Sequence, residues 1–423
     1  MGKHTKIRAK RPKLAKKVYD NCRSFQYKAE VSQQTRQNLI RTLISCQRLY
    51  NDCLNQKKQA WSRSRTNINY NDQQNELPDF KLEFPEHKDI NAFILQDVLR
   101  RLHKAFANFF RRCKEGAEDP GYPRYKSRSR YKSITLGNQS GWTLTGNILD
   151  VKNLGRFKLF LSRPILGEIQ TINIKLDSCR DIFVTFICNH VPKKIYPEIK
   201  SNSDYEDDSV GLDMGLIYFL ADSDNQTIKA PKFFRKAEKN IVKKQRSLSR
   251  KKKGSKNRDQ SRIQVAKAHR KVSRQRRDFL HKVSYKYIKN YQTVYIENLT
   301  IKKMVLNHLF SKSIHDASWY LFFTFLIYKA EEAGRLVVEV DPYQTSQRCS
   351  RCHKLVPKTL SNRIHKCPYC GLVLDRDTNS AKDIKWVGTS LRSKITGFQT
   401  IVGPRNSLTD VTGESESPDF RRE

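Results

Sequence analysis

Four cysteines, Cys349, Cys352, Cys367 and Cys370, stand as C-x2-C-x14-C-x2-C. At this spacing two tight turns each present a thiolate pair to one tetrahedral metal ion, and a closed four-sulfur shell holds one structural Zn2+ with no position left for substrate. The other six cysteines (Cys22, Cys46, Cys53, Cys113, Cys179 and Cys188) are scattered, which argues for a reducing compartment and a zinc ribbon rather than a disulfide framework. Three acids occupy places where a charge is costly. Asp213 lies in a strand-like run between Gly211 and Gly215, Glu297 closes the apolar run TVYIE, and Asp377 opens a helix-like segment just past the cysteines. Singly, each has a bland reading: a turn residue, a surface strand end, an N-cap. Together, 84 and 80 residues apart, they are suited to converge on two Mg2+ ions, hard cations that take oxygen ligands and retain water. Two such ions about 4 Å apart clamp a scissile phosphate, one activating water and the other stabilising the leaving oxygen.

The elements that must position these groups fall into two textures. SFQYKAEV (Ser24 to Val31) alternates as a strand, after which Leu39, Leu43, Cys46, Tyr50 and Leu54 recur at helical steps, as do Leu95, Leu99, Leu102, Phe106 and Phe109. Two packed helices are expected there, with Arg100, Arg101, Arg111 and Arg112 as a candidate nucleic-acid face. From Gly121 come PGYPRYKSRSRYKS and then short runs (YKSITL, WTLTG, FKLFLS, TINIKL, IFVTFIC) bounded by Gly, Asn and Pro, the signature of an antiparallel sheet or barrel. The aromatics Tyr122, Tyr125, Tyr131 and Trp142 read equally as base-stacking rings or as sheet core. An acidic stretch at 201–208 separates this half from an α/β order of strands and helices that includes TVYIENL, SWYLFFTFLIYKAEEAG and RLVVEVDPY.

Charge narrows the partners. The chain of 423 residues has 82 Lys and Arg against 42 Asp and Glu, a net charge of +40, which calls for a polyanion. With 18 Tyr and 21 Phe it is too aromatic for a disordered basic tail. The segment from Arg235 to Lys282 holds 20 Lys and Arg against three acids. Its cations Arg250, Lys251, Lys252, Lys253, Arg270, Lys271, Arg274, Arg276 and Arg277 are the expected nucleic-acid contacts. The apolar stretch Tyr320 to Tyr328 falls well short of the roughly 18 to 20 residues of a membrane span, and MGKHTKIRAKRPKLAKK lacks the apolar centre of a signal peptide. Membrane and secreted classes are therefore set aside.

VGLDMGL, YIENLTI, DPYQTSQRCSRC, CPYCG and DRDTNSAKDI, in this order, resemble the RuvC-like and zinc-ribbon half of TnpB, the OrfB-type proteins of insertion sequences related to miniature type V CRISPR effectors. LQDVLRRLHKAFANFFRR followed by GYPRYKSRSRYKSITL resembles that family's first half, and the likeness spans roughly residues 24 to 388. Two departures stand out: His353 where the family usually has Gly after the second cysteine, and Ser380 where it usually has Ala.

The resemblance implies an RNA-guided DNA endonuclease that cuts at one RuvC-like site, with a guide RNA and target double-stranded DNA as partners, and a cytoplasmic or nucleoid location in a prokaryotic cell. The catalytic acids carry over to Asp213, Glu297 and the Asp of the D-x-N segment, Asp377. Asp375 is the alternative third ligand, and Arg376 and Asn379 orient the site or a phosphate. The implied fold is multidomain α+β. A wedge-like β-barrel module (23–31 and 121–200) carries an inserted helical recognition module (32–120). A RuvC-like, RNase H-like α/β nuclease domain (209–348 and 371–388) carries the zinc ribbon (349–370). A basic arm (1–22), the acidic linker and a tail (389–423) complete the expectation. A binding regulator without nuclease activity, a compact CRISPR effector and a basic zinc-ribbon protein of a ribonucleoprotein are the competing functions.

Overall fold

In the computed structural model residues 22–394 are described, apart from 139, 193, 198, 200–207, 360 and 361. The expected arm up to residue 21, the linker at 201–207 and the tail beyond 394 lie outside the described residues. The chain divides into two units, the first through residue 193 and the second from residue 194.

The first unit begins with β1 (Arg23–Val31), in which Phe25, Tyr27 and Ala29 are buried between exposed neighbours, the period of a half-covered strand. Helices α1 (Gln33–Ser64), α2 (Tyr70–Asn75), α3 (Leu77–Glu83) and α4 (Ala92–Lys114) follow. Ser32 caps α1 by accepting from Thr35 N at 3.1 Å, and Asn91 caps α4 by accepting from Phe93 N at 2.8 Å. Leu39, Leu43, Cys46, Tyr50 and Leu54 of α1 are buried, as are Leu95, Leu99 and Leu102 of α4, whereas Phe106 and Phe109 are only half-buried.

Six further strands, β2 (Ser133–Gly137), β3 (Trp142–Thr145), β4 (Ile148–Val151), β5 (Gly155–Leu159), β6 (Glu168–Leu176) and β7 (Ile182–Asn189), complete an antiparallel sheet in the order β2-β6-β7-β1-β5-β4-β3. The sheet curls, and Trp142 Nε1 at the start of β3 donates to Gly137 O at the end of β2 (2.8 Å). The helices and the sheet share one apolar core, which joins Leu49 and Leu99 to Phe157, Ile172 and Phe186.

The second unit is built on a five-stranded sheet with β8 (Ser209–Met214), β9 (Tyr218–Asp222), β10 (Thr227–Lys229), β11 (Thr293–Glu297) and β12 (Leu336–Val340) in the order β10-β9-β8-β11-β12. Strands β8, β11 and β12 run parallel, and β9 and β10 are antiparallel. All of β11 is buried because both faces are covered. On one face Val294 and Ile296 join Leu280 and Tyr287 of α6 (Lys256–Asn290) and Phe322 and Leu326 of α9 (Trp319–Ala333). On the other, Tyr295 packs with Val340 and with Ile384 of α10 (Arg376–Lys394).

Helix α10 lies close to the sheet because two glycines make room: a Cβ at Gly211 would overlap Ala381 O, and one at Gly388 would enter the Tyr295 ring. Its run to Lys394 makes the first residues of the expected tail helical. Helix α5 (Phe233–Ser249) precedes α6, while α7 (Ile301–Leu306) and α8 (His308–Ala317) precede α9. Strands β13 (Ile364–Lys366) and β14 (Val373–Asp375) form the hairpin beside the second cysteine pair.

Candidate active site and metal centre

Asp213 and Glu297 lie at the carboxyl ends of neighbouring parallel strands. Ile296 of β11 pairs with Leu212 of β8, so the two acids occupy the next position on each strand. The carboxyl ends of parallel strands are where ligand sites collect in open α/β sheets. The third acid arrives from α10, where Asp377 is the second residue. A Cβ built on Gly215, two residues past Asp213, would lie 3.9 Å from Asp377 Oδ2. Burial holds the Asp213 carboxyl well above the usual carboxylate range, and the charges of Glu297, Asp377 and Asp375 push the same way against Arg376. Burial also raises Glu297, opposed by a hydrogen bond from the Thr345 hydroxyl to its Oε1 (2.5 Å). Mutually repelling, partly dehydrated carboxylates are a donor set that fits a hard divalent cation.

The N-cap of α10 is Asp375. Its Oδ1 accepts from Asp377 N at 2.9 Å and Thr378 N at 3.1 Å. The bland reading considered for Asp377 therefore belongs to its neighbour, and the Asp377 carboxylate is left to Arg376, whose Nε and Nη2 lie 3.1 and 2.9 Å from Oδ1. Arg363 Nη1 stands 4.0 Å from its Oδ2.

The four cysteines form a group whose sulfurs all lie within 4.8 Å of one another. Cys349 and Cys370 Sγ are 3.6 Å apart and Cys352 and Cys367 Sγ 3.5 Å. Tetrahedral zinc with Zn–S of about 2.3 Å requires S–S edges of roughly 3.8 Å, whereas a disulfide is about 2.05 Å, so the set fits zinc. Among the described residues the three carboxylates make no second group at that spacing. Ligands of two ions about 4 Å apart are spread more widely than the shell of one, and here Arg376 and Thr345 each draw one carboxylate aside.

Three residues beyond the acids tie the ribbon to α10. Asn379 is fully buried, accepts from Ser350 N (3.0 Å) and donates to Arg348 O (2.8 Å). Asp383 is fully buried, 3.8 Å from Arg348 Nη1 and 3.9 Å from His353 Nδ1, and burial raises its carboxyl to about 6. The His353 ring stacks on Trp386 with centroids 3.7 Å apart. Sequence reasoning raised Asn379 without its partner and missed Thr345, Asp383 and Trp386. For Thr345 the available signal was its place in DPYQTSQRC, four residues before the first zinc-type cysteine.

A family profile, OrfB_IS605, described as "Probable transposase", matches residues 190–308, and one described as "Cas12f1-like, TNB domain" matches residues 319–384. A "Putative RNA-guided DNA endonuclease" of Streptomyces pristinaespiralis is 31% identical over 86% of this chain and 89% of its own length. The chain belongs to the OrfB-type TnpB family. The Escherichia coli K12 relative, "Putative RNA-guided DNA endonuclease InsQ", is 25% identical over 86% of this chain and 92% of its own. Among solved structures, the Cas12f1 chain of a complex with sgRNA and target DNA shares the fold, with a TM-score of 0.51 at 16% identity, covering 84% of this chain and 83% of that one.

Both departures from the TnpB pattern have local explanations. His353 stands at φ 58°, a left-handed backbone that glycine adopts without cost. The imidazole is stacked on Trp386 and is not part of the cysteine group. Ser380 is buried and its hydroxyl donates to Arg376 O at 3.0 Å.

The cations expected to contact nucleic acid separate into two kinds. Arg250, Lys252, Lys253, Lys271, Arg274 and Arg277 are exposed, while Lys251 and Arg270 are half-buried. Arg276 is largely withdrawn: its Nη2 donates to the buried Asp316 at 3.0 Å, the same carboxylate that caps α5 by accepting from Phe234 N at 2.9 Å. In the first unit Arg101 is likewise engaged, with Asp97 (2.8 Å), Ser133 O (2.9 Å) and Thr135 Oγ1 (2.9 Å). Among the described residues no helix is long and apolar enough to cross a membrane.

Proposed function

We propose that this TnpB-family protein is an RNA-guided DNA endonuclease that cuts target double-stranded DNA by metal-dependent phosphodiester hydrolysis, with Asp213, Glu297 and Asp377 as the catalytic acids. The observation that carries this reading is the adjacency of Asp213 and Glu297 at the carboxyl ends of parallel β8 and β11, with Asp377 brought to the same strand end by α10. The second unit is read as a RuvC-like domain with its zinc ribbon, and the curled sheet with its helices as the wedge-like and recognition modules. Two Mg2+ ions, when bound, supply Lewis-acid stabilisation of the phosphate and lower the pKa of an attacking water. Asp213 and Glu297 would hold these ions with carboxylate oxygens from rigid strand ends, and Asp377, bonded here to Arg376, would offer a third. The exposed cations of the α5–α6 segment hold phosphates and carry no sequence information, so target choice rests on base pairing with the guide, beside a short flanking motif. The reading places the protein in the cytoplasm or nucleoid.

The test is cleavage of a plasmid bearing the guide-matched target by protein purified with its RNA. Asp213→Ala should abolish cutting while RNA still co-purifies; undiminished cutting by that variant would overturn the assignment.

A further inference from the structure

Residues 121–131 run without helix or strand across the C-terminal halves of α1 and α4, and where the three meet, aromatic rings remain in solvent. The backbone of this loop is pinned. Gln47 Nε2 and Asn51 Nδ2 donate to Lys126 O at 2.7 and 3.0 Å, and Arg112 Nε donates to Pro120 O at 2.6 Å. Tyr125 OH donates to Asn55 Oδ1 (3.1 Å), and Tyr122 meets Phe106 and Phe109 edge-on with centroids 5.5 and 5.1 Å apart. Lys58 Nζ stands 4.4 Å from the Tyr125 centroid and 5.4 Å from that of Tyr122. Trp61, three residues beyond Lys58, continues the same face of α1, with the Arg65 guanidinium 5.7 Å from its ring.

Phe110 meets Phe109 with ring centroids 5.2 Å apart, and all four rings are uncovered: Trp61 is 53% exposed, Phe110 58%, Tyr122 43% and Tyr125 47%. Tyr131 is buried and Trp142 is half-buried and bonded to Gly137 O, so of the four rings left open between stacking and core, these two are core. The surroundings are strongly basic, although Glu115, paired with Arg111 at 2.8 Å, and Asp119, which accepts from Gly121 N, lie in the turn between α4 and the loop. Residues 55–65, 103–114 and 121–132 contain thirteen Lys and Arg and no Asp or Glu. A face that only followed a duplex backbone would need the cations alone. Rigid exposed rings interleaved with cations are the chemistry that receives unpaired bases, each base stacking on a ring while lysine and arginine hold the phosphates.

We propose that Trp61, Phe110, Tyr122 and Tyr125, with Lys58 among them, form a stacking platform for an unpaired stretch of the guide RNA. The proposal rests on the RNA-guided reading and identifies where that RNA is held. We commit to guide RNA as the occupant because, on the RNA-guided reading, it is the strand bound before any target, and the +40 charge of the chain complements such a polyanion.

The test uses the full chain and a short single-stranded RNA carrying 5-iodouridine, a base that crosslinks to a ring stacked against it. The same sequence as single-stranded DNA and as an RNA duplex serve as the other arms. Adducts on Trp61 or Tyr125, formed with the RNA strand and competed by the co-purifying RNA, are expected. Trp61→Ala and Tyr125→Ala should each weaken binding of that RNA by about five- to a hundredfold without changing the slope of log K against log salt. Lys58→Ala should reduce that slope by roughly 0.7 for the lost phosphate contact, and Tyr125→Phe should bind as the parent does. Adducts confined to the α5–α6 segment, equal loss of duplex binding in the alanine variants, or preference for the DNA strand would each overturn the platform. A parent protein that binds RNA here yet cuts no target would refute the nuclease reading alone, and a cutting protein indifferent to both alanine variants would refute the platform alone.

Discussion

Thr345 donates its hydroxyl proton to Glu297 Oε1 at 2.5 Å, nearer than its other acceptor, Pro342 O, at 3.1 Å. Both partners are buried, so this bond fixes which way the second candidate acid faces. Thr345→Val keeps the shape and removes the donor, leaving a buried carboxylate oxygen unpaired at a cost of about 1–3 kcal/mol. Single-turnover cleavage should fall by about tenfold or more and require more Mg2+ for half-maximal rate. Thr345→Ser should retain the parent rate, and guide-RNA affinity should be the same in all three. A Thr345→Val protein with an unchanged Mg2+ profile would show that Glu297 is held by the strand end alone.

Asp375 and Asp377 can be separated by what each carboxylate does. Asn caps a helix about as well as Asp, so Asp375→Asn should keep the bonds from Asp377 N and Thr378 N and retain most cutting. Asp377→Asn replaces an anionic metal-type oxygen with an amide and should cut below detection, while both proteins melt within a few degrees of the parent. The reverse pattern in a cleavage assay would make Asp375 the ligand.

Metal removal probes the ribbon through α10. The Asn379 side chain bonds Ser350 N and Arg348 O on either side of Cys349, and so joins the knuckle directly to the helix that carries Asp377. Metal analysis should find one zinc per chain in the parent. Cys367→Ser, or a strong chelator followed by return of Mg2+, should remove it and abolish cutting by loosening α10. Asn379→Ala should keep the zinc and still lose part of the activity, since its two backbone partners go unpaired at about 1–3 kcal/mol. Full activity in zinc-free protein would separate the ribbon from catalysis.

The chemistry of the second unit was legible because it sits in short stretches where residue type and spacing are both constrained. The cysteine pairs could be read from sequence as a metal cage, and the four sulfurs do gather. The stripe Leu39, Leu43, Cys46, Tyr50 and Leu54 gave a helix, since a buried face must repeat every three to four residues. What stayed hidden is what depends on partners distant in sequence. Nothing local marks Asp316 as the cap of α5, 82 residues from Phe234, or as the partner that withdraws Arg276 from the basic face. The exposure of Tyr125 against the burial of Tyr131 is a matter of how one loop lies over two helices, and the aromatic spacing is the same for either outcome.

Lys329 supplies a pH test away from the candidate site. Its Nζ is held by His281 O and Ser284 Oγ, both at 2.7 Å, between α6 and α9. Burial, with a contribution from the Lys194 charge, lowers this amine from 10.5 to about 8. The folded protein therefore binds that proton less tightly than the unfolded chain, which holds more protons between the two values. Stability rises with pH across that window, and below about pH 8 the cost of the buried charge is present in full. Lys329→Met keeps the apolar stem and removes the charge. It should be more stable than the parent near neutral pH by up to about 3 kcal/mol, the free energy of a shift of roughly two and a half units, and the difference should close as pH approaches 10. Urea unfolding of both proteins at neutral and alkaline pH measures it. A variant less stable than the parent at neutral pH would mean that the two hydrogen bonds to α6 outweigh the cost of dehydrating the ammonium group.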